Sequence, residues 1–170
     1  NILDHHFLNS RGAIARFDRN AIEIRVIDIQ ECPKADIAIA VLIIESLKLL
    51  VSEELVSLED QKKWHENDLL NIFDEVIKDA ENALVKNDLY LNLFDLPAEC
   101  NAGNIWEKLY DRVKENISEK HQETINFILK KGSLSTRILK DLNEDYSVEN
   151  LHRVYEELGD CLENNRMFRP

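Results

Sequence analysis

Apolar and polar residues alternate in two short stretches near the start of the chain. Ile14-Ala15-Arg16-Phe17 and Ala21-Ile22-Glu23-Ile24-Arg25-Val26-Ile27 are rich in β-branched and aromatic residues. Asp18-Arg19-Asn20 between them reads as a hairpin turn. In the second strand Ile22, Ile24 and Val26 face one way, Glu23 and Arg25 the other. Cys32-Pro33 ends the strand segment. From about Ala35 to Val51 the pattern is apolar almost all round, which predicts a buried helix laid on the sheet.

The rest of the chain repeats at helical spacing. Ser57-Leu58-Glu59-Asp60 resembles a capping box. Leu69, Phe73, Val76, Ile77, Ala80 and Leu84 predict a helix, and residues 91–97 a loop. Ile105, Leu109, Val113 and Ile117 mark another helix. Ile125, Ile128 and Leu129 mark the next, which stops near Gly132. Residues 134–142 form a short helix. Ser147 caps the last, with Leu151, Val154, Tyr155, Leu158 and Leu162 on its inner face. The expected fold class is therefore α+β: a β-hairpin followed by a mainly α-helical region. Because a lone hairpin is marginal in water, these strands call for partners from sequence elsewhere or from a second chain. The chain begins at Asn1 and its single methionine is Met167, so a fragment of a longer protein is expected.

Composition narrows the function classes. The 170 residues carry 33 acidic against 21 basic side chains, a formal charge of −12. Such a surface disfavours general binding to nucleic acid or to an anionic membrane. The longest apolar run, Ile37 to Ile44, is far short of the roughly 20 residues that span a bilayer. Cys32, Cys100 and Cys161 make no CxxC and no even-numbered framework, which suits a reducing, cytoplasmic setting.

The chemistry-bearing residues lie on the hairpin. Glu23 and Arg25 leave the same face of one strand about 6.5–7 Å apart, and Arg16 on the neighbouring strand can join them. One reading is a solvated outer face; the other is a polar face lining a site for anions and metal.

Three consecutive segments resemble the end of the catalytic region of glutamate–cysteine ligase-type carboxylate–amine ligases, of the glutamine synthetase-like superfamily. They are Ser10-Arg11-Gly12-Ala13-Ile14-Ala15-Arg16-Phe17, Ala21-Ile22-Glu23-Ile24-Arg25-Val26-Ile27-Asp28 and Ile29-Gln30-Glu31-Cys32-Pro33-Lys34-Ala35-Asp36-Ile37-Ala38. Arg11 and Arg16 match the family's arginine spacing, and Ile22-Glu23-Ile24-Arg25 its Ile-Glu-x-Arg strand. The resemblance covers residues 1–50. Beyond them it is carried only by Ser133-Leu134-Ser135-Thr136-Arg137-Ile138-Leu139 and Val154-Tyr155-Glu156-Glu157-Leu158.

The resemblance implies ATP-dependent amide formation through an acyl phosphate, with a glutamate-like carboxylate and a small amine such as cysteine as substrates. It implies Glu23 as ligand to a divalent ion, Mg²⁺ or Mn²⁺, and Arg25 against substrate carboxylate or phosphoryl oxygens. Arg16 would steady the nucleotide phosphates, and Arg11 would face substrate or phosphate. These residue types suit that work. Guanidinium forks match phosphate and carboxylate geometry, and carboxylates are hard ligands for Mg²⁺. The hairpin and first helix, residues 1–55, would then be the end of a catalytic domain, residues 56–170 a helical region, and the whole protein a homo-oligomer.

A single carboxylate does not hold the ions of such a site, and neither GxxxxGK[ST] nor GxGxxG occurs. The chain alone is therefore expected to be inactive. The rival from another class is a non-catalytic helical interaction module. Asp4-His5-His6 has the form of a phosphoesterase triplet, but the aspartates that family needs upstream are missing. Asp28 reads as a turn residue, Glu31 and Asp36 as helix-start charges, and Cys32 as a buried structural thiol. Trp64 and Trp106 read as core or interface. His65, His121 and His152 read as structural, and residues 143–145 as a solvated loop.

Overall fold

The computed structural model describes residues 12–170. The fold is α+β and mostly helical, in two compact units that divide between Gln30 and Glu31.

Within the first unit, β1 (Ala13–Arg16) and β2 (Ala21–Ile24) pair antiparallel, with Ile14 opposite Glu23 and Arg16 opposite Ala21. A 3-10 turn over Phe17–Arg19 joins them, and Asn20 closes it in the left-handed region at φ 50°. Asn tolerates that conformation better than most residues. The regular strand β2 ends at Ile24 rather than Ile27. Among the described residues one further ladder bond extends it, from the Arg25 N–H to the Gly12 carbonyl at 2.8 Å. On the hairpin's apolar side Ile22 has 65% of its surface exposed, while Ile24 is half-buried.

The second unit opens with α1 (Pro33–Val51), which starts on Pro33 at its first turn, where the missing N–H costs nothing. There follow α2 (Leu58–Gln61), α3 (Glu66–Asp79), β3 (Leu84–Val85), α4 (Asp88–Asn92) and β4 (Cys100–Asn101). Then come α5 (Ala102–Val113), α6 (Glu119–Lys131), α7 (Leu134–Leu142) and α8 (Val148–Glu163). α1 lies in this unit and packs mainly on α6 and α5.

It is also less buried than its composition suggests. Ala35, Ala38 and Leu42 enter the core, but Ile37, Ile44 and Val51 form an exposed apolar stripe at seven-residue spacing. Hydropathy alone does not say which side of an all-apolar helix finds a partner.

Three local features also depart from the sequence pattern. α3 stops at Asp79, where Ala80 turns to φ 48°. Leu84 and Val85 leave the helical series to pair with Asn101 and Cys100. α4 runs into the expected loop as far as Asn92, and residues 93–97 are irregular; Leu91 and Phe94 are nonetheless buried, and Tyr90 stacks edge-on to Phe94 and Trp64. On α8, Val154 and Cys161 point inward, while Tyr155 and Leu162 are more than half exposed. Ser57, Ser133 and Ser147 each accept a backbone N–H at a helix start.

A buried ion pair ties distant segments of this unit together. Glu31 and Arg137 have almost no exposed surface, and Arg137 Nη1 donates to Glu31 Oε1 at 2.6 Å. Arg137 also donates to the carbonyls of Phe168 (2.9 Å) and Gly132 (3.2 Å), while the Phe168 N–H donates to Glu31 at 3.3 Å. Glu31 is therefore an internal anchor rather than a helix-start charge. Cys32 is fully buried beside it, 3.9 Å from the Met167 sulfur. Among the described residues, no helix is long and apolar enough to cross a membrane.

Candidate functional site

The hairpin register puts Ile14, Arg16, Glu23 and Arg25 on one face and Ala13, Ala15, Ile22 and Ile24 on the other. The three charged residues converge. Glu23 Oε1 accepts from Arg25 Nε at 2.8 Å, and Glu23 Oε2 accepts from Arg16 Nη1 at 2.9 Å. One carboxylate thus bridges two guanidinium groups across the strands. Side-chain exposure is 14% for Arg25, 23% for Arg16 and 39% for Glu23. The cluster is thus neither splayed into solvent nor sealed from a ligand.

Asp18, a turn residue by its sequence, is a fourth member. Arg16 Nε donates to Asp18 Oδ1 at 3.1 Å and Arg16 Nη2 to Oδ2 at 3.0 Å, a fork-to-fork pair. The available signal was an aspartate two residues beyond a strand-end arginine at the head of a hairpin. Arg11, Asp4, His5 and His6 lie outside the described residues.

The charges reinforce one another. Hydrogen bonds from Arg25 and then Arg16 hold the Glu23 carboxyl below the usual range. Arg16 does the same for Asp18. Hydrogen bonds to Asp18 and Glu23 push the Arg16 guanidinium further up. All of these groups are therefore ionised near neutral pH.

With Arg16 and Arg25 set against Asp18 and Glu23, the face is close to neutral. An ionised carboxylate has about four acceptor positions, and the two guanidinium bonds take two. Glu23 therefore fits a divalent ion as one ligand of a larger set. Among the described residues, no three His, Cys, Asp or Glu side chains gather where a metal could sit.

A separate feature of the helical unit is an apolar cavity of about 410 Å³ between α1, α3, α4 and α5, bordered by Leu47, Trp64, Ile72, Tyr90, Phe94 and Trp106. Burial raises the Tyr90 hydroxyl pKa there. Trp106, at 40% exposure, stands at its edge rather than in the core.

No family profile matches this chain, and no solved structure matches it. The chain is similar to an uncharacterized protein of Archaeoglobus fulgidus, with 28% identity over 170 residues. The matched region is 98% of this chain and 39% of the relative, so the chain spans about two-fifths of the length of that curated protein.

Proposed function

We propose that this chain is the C-terminal portion of an ATP-dependent carboxylate–amine ligase of the glutamine synthetase-like type, glutamate–cysteine ligase being the nearest kind. The observation that carries the reading is the bridge Arg16–Glu23–Arg25 on one half-buried face of the hairpin. The motif spacing that raised the resemblance depends on these side chains acting together, and they do meet.

In this reading the substrate carboxylate attacks the γ-phosphorus of ATP. An oxygen–phosphorus bond forms, the bond to the bridging oxygen breaks, and ADP leaves. The amine then attacks the acyl carbon, phosphate departs with the carbon–oxygen bond, and the nitrogen loses its proton. Arg16 contacts the nucleotide phosphates, and Arg25 the substrate carboxylate or the transferred group, neutralising charge as it shifts. Glu23 has two tasks: it orients both guanidinium groups and contributes one ligand to Mg²⁺ or Mn²⁺. When bound, that ion would supply charge neutralisation on the triphosphate oxygens. Arg11 completes the set beyond the described residues. The other metal ligands and the rest of the nucleotide site would come from elsewhere in the whole protein. The reading carries with it a cytoplasmic setting and a homo-oligomer.

The test uses the whole protein that carries this chain. ADP release should require both a carboxylate such as glutamate and an amine such as cysteine. Glu23→Ala should cut turnover by about 10-fold or more and weaken the dependence on Mg²⁺. ADP release without amine incorporation would end the ligase reading, and an unchanged metal titration would remove Glu23 from the metal site. The second reading, a non-catalytic interaction module, is favoured by the exposed stripe Ile37, Ile44 and Val51 on α1. It gains if no nucleotide is turned over while charged substitutions on that stripe change the oligomeric state.

A further inference from the structure

We propose that Asp18 is a positioning residue, locking the Arg16 guanidinium so that its unspent N–H groups meet a phosphoryl oxygen in a fixed direction. This rests on the ligase reading above and adds to it a residue that the family resemblance does not include. Arginine has five N–H donors in one rigid plane. Arg16 spends Nε and one Nη2 hydrogen on Asp18, and one Nη1 hydrogen on Glu23. One N–H therefore remains on each terminal nitrogen, in a plane set by the bidentate pair. Glu23 alone makes a single contact to Arg16 and would leave the guanidinium free to rotate about it.

The turn is what makes the fork possible. The 3-10 segment Phe17–Arg19 folds the chain back immediately after Arg16, and the Asn20 N–H reaches the Phe17 carbonyl at 3.4 Å. Asp18 is thereby brought alongside the arginine two residues before it. Arg19 Nε lies 3.6 Å from the same carboxylate on its outer side. The side chain of Asp18 is 62% exposed, so its pairing with Arg16 is a weak contributor to stability. Its geometry is nonetheless bidentate, which suits an orienting role.

The sign of one measurement separates positioning from simple charge. Asp18 is an anion close to where a phosphate would bind. If it acted only through its charge, Asp18→Asn would relieve repulsion and leave binding unchanged or tighter. If it positions Arg16, the same substitution weakens binding although a negative charge has been removed. The experiment is calorimetric titration of the whole protein with the Mg²⁺ complex of a non-hydrolysable ATP analogue, at low and high salt.

The expected result for Asp18→Asn and Asp18→Ala is roughly 3- to 10-fold weaker binding, the worth of one net hydrogen bond. The loss should persist at high salt, where charge effects between exposed groups are screened. Arg16→Lys, which removes the fork, should lose at least as much, and adding Asp18→Asn to it should cost nothing more. Unchanged or tighter binding by Asp18→Asn, with Arg16→Lys still impaired, would overturn the positioning role and leave the ligase reading standing. If the parent protein binds no nucleotide and Arg16→Lys changes nothing, both fall together. Thermal melts of the Asp18 variants should superimpose on the parent's, since surface substitutions usually stay within about 0.5 kcal/mol.

Discussion

Replacing Arg137 by Met should be among the most damaging single changes outside the hydrophobic core. Arg137 lies buried between the segment before α1, the end of α6 and the C-terminal tail, and serves all three. Without it, Glu31 keeps a buried charge with only the Phe168 N–H as a described partner, at 3.3 Å. The carbonyls of Gly132 and Phe168 lose the Arg137 donor as well. Removing one member of a buried ion pair typically costs about 3–5 kcal/mol. For a chain of this size that corresponds to a drop in Tm of roughly 6–20 °C. Glu31→Gln should fall in the same direction with a smaller loss, because the amide still accepts one hydrogen bond. The double replacement Glu31→Leu with Arg137→Met should be less destabilised than Arg137→Met alone, since no uncompensated charge is then buried. Urea unfolding followed by circular dichroism, extrapolated linearly to water, measures all of these. A loss under about 1 kcal/mol for Arg137→Met, or additivity in the double variant, would refute the argument that the pair works as a buried unit.

Gly132→Ala should cost about 1–3 kcal/mol in the same assay, because Gly132 sits at φ 90° and ψ 173°, a region nearly reserved for glycine. An added Cβ there would also collide with the Glu81 carboxylate and with Thr136. A neutral effect would mean the α6–α7 junction relaxes freely. Leu42→Ala should lose about 2–5 kcal/mol and Val51→Ala under about 0.5 kcal/mol, since the first is buried and the second 84% exposed on the same helix. Equal losses would mean that the wrong face of α1 has been taken as the core. Glu81 gives a pH test. Burial pushes its carboxyl up, but hydrogen bonds from Thr136, its own backbone and Ser133 outweigh this and hold it below 4.5. Its contribution is therefore present above about pH 4.5 and lost as the medium is acidified through its folded value. The parent's stability advantage over Glu81→Gln should hold above about pH 4.5 and shrink as the pH falls below it, and a constant gap would count against those bonds.

The sequence was most informative where a local rule decides the structure. Ser57, Ser133 and Ser147 cap helices because a hydroxyl next to free N–H groups needs no tertiary help. The hairpin followed from alternation and a polar turn, and alternation also put Arg16, Glu23 and Arg25 on one face. The sequence was least informative where distant segments decide. Leu84 and Val85 continue a helical spacing, yet they pair with a strand that only the fold brings alongside. α1 is apolar on every side, so its exposed stripe depends on which neighbours exist. Glu31 and Arg137 are 106 residues apart, and neither neighbourhood announces a buried charge.

The same distinction separates the two kinds of polar cluster in this molecule. The Glu31–Arg137 cluster is closed: both carboxylate oxygens accept from protein, two carbonyls take further Arg137 donors, and almost no surface remains. Such a group can only specify structure. The hairpin cluster is open: Glu23 keeps acceptor positions, Arg16 keeps two N–H groups, and each retains exposed surface. Fixing a guanidinium by bidentate contact while leaving some of its donors unspent contributes little to stability at an exposed site. It does pre-pay the orientation that an incoming oxyanion would otherwise have to impose. A stability measurement and a binding measurement should therefore rank the two clusters in opposite order. Arg137→Met should dominate the first and leave nucleotide affinity of the folded protein little changed, while Asp18→Asn should be silent in the first and visible in the second.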